Sequence, residues 1–264
     1  MKRRRADVVL AERGLFDSRE RAKAAILAGH VRVDGRVITK AGEPIAEDSV
    51  VELARTDPFV SRGGTKLAGA LDAFEVDVAG LKAVDVGAST GGFTDCLLQR
   101  GAASVVAVDV GYGQLAWKLR VDPRVSVFER TNIRHADPEV LGAPFDLVTI
   151  DVSFISLETV LPALVRLMDS GARLLALVKP QFEAGKGRVG KRGVVRDAAV
   201  HIDVLESVMR AVREHDLVVR GLTWSPITGP EGNIEFWVYA ARDGQDTLPD
   251  ASIVVSGAHE SLGV

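Results

Sequence analysis

The run Val84-Asp85-Val86-Gly87-Ala88-Ser89-Thr90-Gly91-Gly92-Phe93 is an apolar strand that ends in a Gly-rich turn and passes into a helix. Gly87 permits a sharp turn, Gly91 and Gly92 let the helix begin close to a ligand, and Asp85 stands at the carboxyl end of the strand. A nicotinamide-binding turn would read G-x-G-x-x-G and meet a pyrophosphate at the helix N-terminus. Here the glycines fall as G-x-x-x-G-G behind a carboxylate. That pattern suits a nucleoside without phosphate that carries a positive centre, S-adenosylmethionine (SAM). Asp85, Gly87, Ala88, Ser89, Gly91, Gly92 and Phe93 are the candidates for holding it. A second apolar strand, Ser104-Val105-Val106-Ala107-Val108-Asp109, closes on another carboxylate about 20 residues on, where an acid grips ribose hydroxyls.

A SAM site leaves the methyl acceptor open, and the sheet-end loops narrow it. Carbon-5 methylation of a pyrimidine needs a cysteine nucleophile, but the single Cys96 lies inside the helix after the Gly turn and reads as a packed side chain. Exocyclic amino methylation shows Asn or Asp followed by two prolines and an aromatic residue, whereas this chain has Asp151-Val152-Ser153-Phe154. The alternative acceptor is a ribose hydroxyl. Its pKa lies far above neutrality, so it needs a general base in a cationic setting. Lys179 follows the apolar run Leu174-Leu175-Ala176-Leu177-Val178 and precedes Pro180, which puts its ammonium at the sheet edge beside Asp151. A second lysine helps one of the two lose its proton while carboxylates hold both in place, and Lys66 and Glu235 are the further members.

The elements that must position these residues follow a regular alternation. Strands are expected at 82–86, 104–109, 125–128, 145–150 and 172–178 with helices between them, so the fold class is α/β, a Rossmann-like parallel sheet covered on both faces. A last pair at 217–224 and 234–240 ends the sheet with one antiparallel strand. Lys66 falls on a helix starting near Ser61. The tail, 242–264, reads as polar, aperiodic and partly disordered. With 264 residues, 47% hydrophobic, the chain can build one substantial core and a small second module. No apolar run reaches the ~18 residues that cross a bilayer, and the basic start is not followed by a signal-peptide core, so a cytoplasmic location is expected. Trp117, Trp224 and Trp237 could stack a base but mostly suit the core. His30, His135, His201, His215 and His259 show no paired spacing, and no bound metal is expected.

The net charge of −3 hides an asymmetry, for residues 1–40 carry eleven Lys or Arg against five Asp or Glu, leaving −9 for the rest. Helices at 6–13 and 18–28, a hairpin over 31–38 turning at Asp34-Gly35, and a strand at 49–53 make a compact α+β module. Domains are thus expected at 1–55, with a linker at 56–60, and at 61–241. Arg4, Arg5, Arg19, Arg21, Lys23, Arg32 and Arg36 offer phosphates a basic surface. In the second domain Arg62 and a Gly-rich loop with Lys186, Arg188, Lys191 and Arg192 would close over an RNA backbone.

The stretch Ser18-Arg19-Glu20-Arg21-Ala22-Lys23-Ala24-Ala25-Ile26-Leu27-Ala28-Gly29-His30-Val31-Arg32-Val33-Asp34-Gly35 resembles the RNA-binding module of a ribosomal small-subunit protein, pseudouridine synthases and tyrosyl-tRNA synthetases. Over residues 1–240 the chain resembles the TlyA, or hemolysin A, family of 2′-O-ribose rRNA methyltransferases, and more distantly the FtsJ-type enzymes. The resemblance rests on Ser61-Arg62-Gly63-Gly64-Thr65-Lys66-Leu67, the Asp85 turn, Asp109-Val110-Gly111-Tyr112-Gly113-Gln114-Leu115, Arg130-Thr131-Asn132, Asp151-Val152-Ser153-Phe154-Ile155-Ser156 and Val178-Lys179-Pro180-Gln181-Phe182-Glu183. It implies a catalytic tetrad of Lys66, Asp151, Lys179 and Glu235, and cofactor contacts that include Val110, Asn132 and Asp151. It further implies cytidine ribose in small- and large-subunit rRNA as the acceptor, with an effect on sensitivity to ribosome-binding cyclic peptide antibiotics. The family's mycobacterial members have Arg-Ala-Trp-Val where this chain has Asp57-Pro58-Phe59-Val60. The expected partner is rRNA within ribosomal subunits, with the enzyme monomeric and away from membranes. A membrane-acting hemolysin lacks a signal, a span or a strongly amphipathic basic helix here, and a non-catalytic assembly factor is opposed by the intact tetrad.

Overall fold

The near-continuous apolar runs of the central strands bury both faces of the sheet there. In the computed structural model, which describes residues 3–27, 29–53, 58–185, 187–190 and 193–263, the chain divides into two units, Met1–Pro58 and Phe59–Val264. Phe59 and Val60, expected in the linker, therefore belong to the second unit, where both pack against its core. Asp57 lies outside the described residues.

In the first unit β1 (Arg3–Arg5) leads into α1 (Ala6–Glu12), α2 (Arg19–Leu27), the hairpin β2 (Val31–Val33) and β3 (Arg36–Val37), then β4 (Pro44–Ala46) and β5 (Val51–Leu53). Ser18 Oγ accepts the Arg21 N–H at 3.2 Å, capping α2. Asp34 and Gly35 both have positive φ, 50° and 78°, as a type I′ turn demands. Leu10, Ile26, Val31 and Ile38 are fully buried between the helices and strands. The basic start is not a free arm, because Arg3–Arg5 pairs antiparallel with Pro44–Ala46.

The second unit runs α3 (Arg62–Ala73), β6 (Lys82–Val86), α4 (Gly92–Gln99), β7 (Ser104–Val108), α5 (Trp117–Arg120), β8 (Val125–Phe128), α6 (Pro138–Leu141) and β9 (Phe145–Ile150). It continues through α7 (Leu157–Val165), β10 (Met168–Val178), α8 (Pro180–Glu183), α9 (Ala198–Glu214), β11 (Val218–Trp224), β12 (Phe236–Ala241) and α10 (Ala251–Leu262). The seven strands lie in the order β11-β12-β10-β9-β6-β7-β8, and β12 alone runs opposite to the other six. Leu174 and Ala176 face a core layer shared with α7, α9 and α10, while Leu175 and Leu177 face the layer shared with α3 and α4. Each such leucine contributes about 1.5–3 kcal/mol by leaving water. The chain reverses direction across the sheet between β6 and β9, and in an open α/β sheet a ligand sits outside the carboxyl ends of the strands at that switch point.

The expected disordered tail is corrected by α10. Asp250 caps this helix by accepting the Ser252 N–H at 2.8 Å, and Ala251, Val255 and Ala258 bury one stripe against the core. Before it, Asp246 accepts from Arg213 at 2.8 Å and from the Val219 N–H at 3.1 Å. His259 meets the buried His201 at 3.0 Å, Nε2 to Nδ1, a pairing 58 residues apart that no local spacing announces. Burial pushes His201 down to about 4, with His259 acting in the same direction.

Candidate active site

Gly87 follows β6 with φ +84°, and a Cβ there would stand 2.2 Å from the Asp151 carbonyl oxygen. The two sheet-end loops thus approach so closely that only glycine fits. A Cβ at Gly92 would lie 2.4 Å from Ser61 Oγ and 2.8 Å from the Gly64 nitrogen, so this glycine makes room for the start of α3. At Gly91 the neighbour is Leu119, at 2.3 Å, and Gly91 lines no part of the cavities described below. Protein packing therefore demands these last two glycines in addition to any ligand.

Asp85 is placed otherwise than expected. It is fully buried behind the turn, where one oxygen accepts both the Thr94 N–H at 2.9 Å and the Thr94 hydroxyl at 2.7 Å. Burial pushes its carboxyl up to about 7 against those two hydrogen bonds. Its work is to pin the first turn of α4, since strand alternation turns it away from the cofactor edge. Asp109 does face that edge. Its carboxylate accepts the Ser89 N–H at 2.8 Å and the Gly111 N–H at 2.6 Å, keeping further lone pairs for hydroxyl donors.

Three adjoining cavities open along the carboxyl edge. The first, of about 340 Å³, is lined by Gly87, Ser89, Asp109, Val110, Asn132 and Asp151 among others. The second, of about 300 Å³, lies among Arg62, Lys66, Gly87, Ala88, Gly92 and Phe93 and also reaches Asp151. The third, of about 350 Å³, is bounded by Lys66, Asp151, Ser153, Lys179, Gln181 and Glu235. Gly87 and Ser89 border the first two cavities, and Asp151 borders all three. A nucleoside can lie against Asp109 while its substituent continues past Gly87 toward Asp151, so the residues present fit SAM.

The four expected catalytic residues come from separate elements and meet in the third cavity. Lys179 forms an ion pair with Asp151 and donates to Ser153 Oγ at 3.1 Å. Lys66 pairs with Glu235 at 2.5 Å, with the two side chains 9% and 1% exposed. Burial pushes the Glu235 carboxyl up while Lys66, and behind it Lys179, oppose the shift. Asp151 follows β9 and Lys179 follows β10 at their carboxyl ends. Glu235 precedes the antiparallel β12, which brings its start to the same edge. The result is a mostly buried set of two ammonium and two carboxylate groups facing one cavity, suited to moving a proton from a hydroxyl.

The expected RNA-binding arginines are mostly engaged. Arg5 and Arg19 both hold Asp7, which is 1% exposed and depressed to about 2 chiefly by the Arg5 hydrogen bond. Arg4 bridges Glu12 and Glu47, Arg21 pairs with Asp17, Arg36 with Glu43 and Arg188 with Asp203. Exposed pairs of this kind are worth about 0–1 kcal/mol, so a phosphate can compete for most of them. The pairs on Asp7 also anchor the fold of the module. Arg32 approaches the Gly35 carbonyl at 3.5 Å, and Arg62 donates to the Thr228 carbonyl at 2.6 Å. Lys23 is exposed on α2. Lys186, Lys191 and Arg192 lie outside the described residues. Trp237 is buried against Phe93, Trp224 is half-buried, and Trp117 is exposed. Burial pushes the Cys96 thiol up to about 12, which removes it as a nucleophile. Among the described residues no three His, Cys, Asp or Glu form a metal-binding group. Thr90, Gln114, Ser153 and Pro230 also line the cavities, and the first three stand inside motifs whose other members were read as contacts.

Residues 59–242 match the FtsJ-like methyltransferase family and residues 4–51 match the S4 domain. The chain is 49% identical to the 16S/23S rRNA (cytidine-2′-O)-methyltransferase TlyA of Mycobacterium tuberculosis, covering 99% of this chain and 98% of the relative. YqxC of Bacillus subtilis, provisionally named an rRNA methyltransferase, is 50% identical over 99% of this chain and 96% of its own length. A solved structure from Streptococcus thermophilus, provisionally named a hemolysin, superposes with a TM-score of 0.78 at 42% identity, covering 100% of this chain and 98% of that one.

Proposed function

Because the chain belongs to the TlyA family, in which an FtsJ-like methyltransferase domain is joined to an S4 domain, we propose that it methylates the 2′-hydroxyl of cytidine in ribosomal RNA with SAM as donor. The observation that carries the reading is Asp151, common to all three cavities and ion-paired to Lys179 where the donor and acceptor spaces meet.

Asp109 and Asn132 would hold the nucleoside end of the cofactor, and the Gly87 turn and Phe93 line the cavity that would take its other end. When bound, SAM supplies an electrophilic methyl group on a positively charged sulfur. Lys179 takes the proton of the incoming 2′-hydroxyl, and Asp151 and Ser153 orient its amine. Lys66, committed to Glu235, supplies a fixed positive charge near the developing oxyanion. All four residues come from one chain, so a monomer holds a complete centre. The S4 domain supplies phosphate contacts through its basic side chains. The enzyme works where ribosomal subunits are, in the cytoplasm, and its products carry the expected change in sensitivity to cyclic peptide antibiotics. No helix among the described residues is long and apolar enough to cross a membrane.

The test is mass spectrometry of nucleosides from each unmodified ribosomal subunit after incubation with the purified protein and SAM. The expected product is 2′-O-methylcytidine. Base methylation, or no methylation by protein that binds SAM, overturns the reading.

A further inference from the structure

The loop after β9 carries Asp151 and ends at α7, and the turn after β10 carries Lys179 and ends at α8. These two segments hold one ion pair of the reaction centre between them, so their relative placement decides whether the base faces its substrate. They touch again beyond that pair. Phe154, at φ +65° and 90% exposed, sets its ring 5.0 Å from that of Phe182, and Glu183 accepts the Leu157 N–H at 2.9 Å.

The second contact is unusual for a helix start. Ser156 is the N-cap residue of α7 with extended backbone, the ordinary arrangement for a serine that caps its own helix. It makes no such bond, and its hydroxyl meets Thr159 Oγ1 at 3.0 Å instead. The first-turn N–H of Leu157 is satisfied by a carboxylate 26 residues away in the chain. A Ser156 cap would reach the N–H of Glu158 or Thr159, so the N–H of Leu157, at the first helical position, takes its acceptor from another segment. Glu183 supplies that acceptor from a half-buried position, with its carboxyl pushed up to about 7 chiefly by desolvation and further by Glu158.

We propose that Glu183 is a positioning residue of the methyl-transfer centre, whose carboxylate clasps the start of α7 and so holds the loop bearing Asp151 in register with the turn bearing Lys179. Together with the Phe154–Phe182 contact it makes a second fastening beyond the Asp151–Lys179 pair. The clasp depends on an acceptor oxygen at the reach of a glutamate side chain, and charge is secondary. This inference rests on the tetrad being the reaction centre.

The experiment compares Glu183→Gln, Glu183→Asp and Glu183→Ala in the full chain, reading the single-turnover methylation rate on ribosomal subunits, SAM affinity by calorimetry and the thermal midpoint. Gln keeps an acceptor at the same reach and should stay within about threefold of wild type. Asp keeps the charge but is one methylene too short, and Asp and Ala should each lose at least about tenfold, the scale of a small misplacement of reacting groups. SAM affinity should fall by less than the rate does in the Asp and Ala variants, because Asp109 and Asn132 lie on other loops and only the Asp151 side of the first cavity is displaced. If Glu183→Ala does not fold, the Gln and Asp variants alone decide. An Asp variant as fast as wild type, or a Gln variant as slow as Asp, overturns the proposal. A wild-type protein that methylates neither subunit overturns the functional reading instead, whereas an active wild type indifferent to Glu183 overturns only the clasp.

Discussion

Replacing Lys66 with Met removes the cation from Glu235 while keeping most of the side-chain volume. Glu235 is 1% exposed and its partner stands at 2.5 Å, so the variant leaves a buried carboxylate without its counter-ion. Breaking a buried pair in this way costs about 3–5 kcal/mol. For a body of this size each kcal/mol moves the thermal midpoint by about 2–4 °C. The full deficit appears only where the carboxyl is ionised. Burial already raises the Glu235 pKa above its ordinary 4.5, and Lys66 is the largest influence holding it down. Without Lys66 the folded state keeps this proton to higher pH while the unfolded chain loses it near 4.5, so the stability of the variant falls as pH rises above that value. Unfolding of wild type, Lys66→Met and Lys66→Met/Glu235→Gln at about pH 5 and about pH 8 checks the argument. The single variant should lie near wild type in acid and lose about 3–5 kcal/mol at the higher pH, and the double variant should regain most of it because no charge is left stranded. A deficit independent of pH, or a double variant no better than the single one, refutes the reasoning.

Lys179→Arg keeps a cation beside Asp151 but cannot surrender a proton near neutral pH, so SAM and subunit binding should persist while the single-turnover rate falls about 10²–10⁴-fold. Lys66→Arg, which retains a charge for Glu235, should lose less, and a rate for Lys179→Arg equal to wild type would remove Lys179 as base. Asp109→Ala should weaken SAM binding at least about tenfold by calorimetry, since a charge-assisted acceptor worth about 1.5–3 kcal/mol is lost and the Ser89 and Gly111 N–H groups lose their partner. Deleting residues 1–58 should leave SAM affinity nearly intact while abolishing subunit methylation, and RNA binding should become less steep in salt as fewer counterions are released. Methylation of subunits at the normal rate by the truncated protein would show that the S4 domain is not the recognition element.

The central strands were legible because each is a short apolar run closed by Gly, Asp or Pro. The expected spans 82–86 and 145–150 coincide with β6 and β9, and β10 begins earlier only through the irregular stretch between Met168 and Arg173. A three-residue strand with neither apolar alternation nor a flanking turn signal leaves no such trace. Arg3–Arg5 reads as a basic arm because nothing in three arginines indicates that Pro44–Ala46 will pair with them. The α10 stripe of Ala251, Val255 and Ala258 is too small and too mixed with serine and glycine to stand out, yet on this sheet it is enough to fix the tail. Asp85 and Asp109 show where residue type stops short. Both end apolar strands, but Asp85 lies inside β6, where alternation turns it into the layer behind α4, while Asp109 lies one residue past β7 and stays at the cofactor edge.

The reaction centre follows the same logic over longer distances. Parallel strands deliver Asp151 and Lys179 to one edge because both leave the sheet at a carboxyl end, and local patterning suffices to see that. Glu235 reaches the same edge only because β12 runs backwards, so a residue before the strand stands where residues after β9 and β10 stand. Lys66 arrives from α3, brought close to the glycine turn by the approach of Gly92 to Ser61 and Gly64. A side chain larger than hydrogen at Gly92 would meet the Gly64 backbone nitrogen at 2.8 Å and push α3 outward, and Lys66 would move with it. The glycine that a ligand-centred reading assigns to the cofactor is therefore also required to keep the Lys66–Glu235 pair in the acceptor cavity.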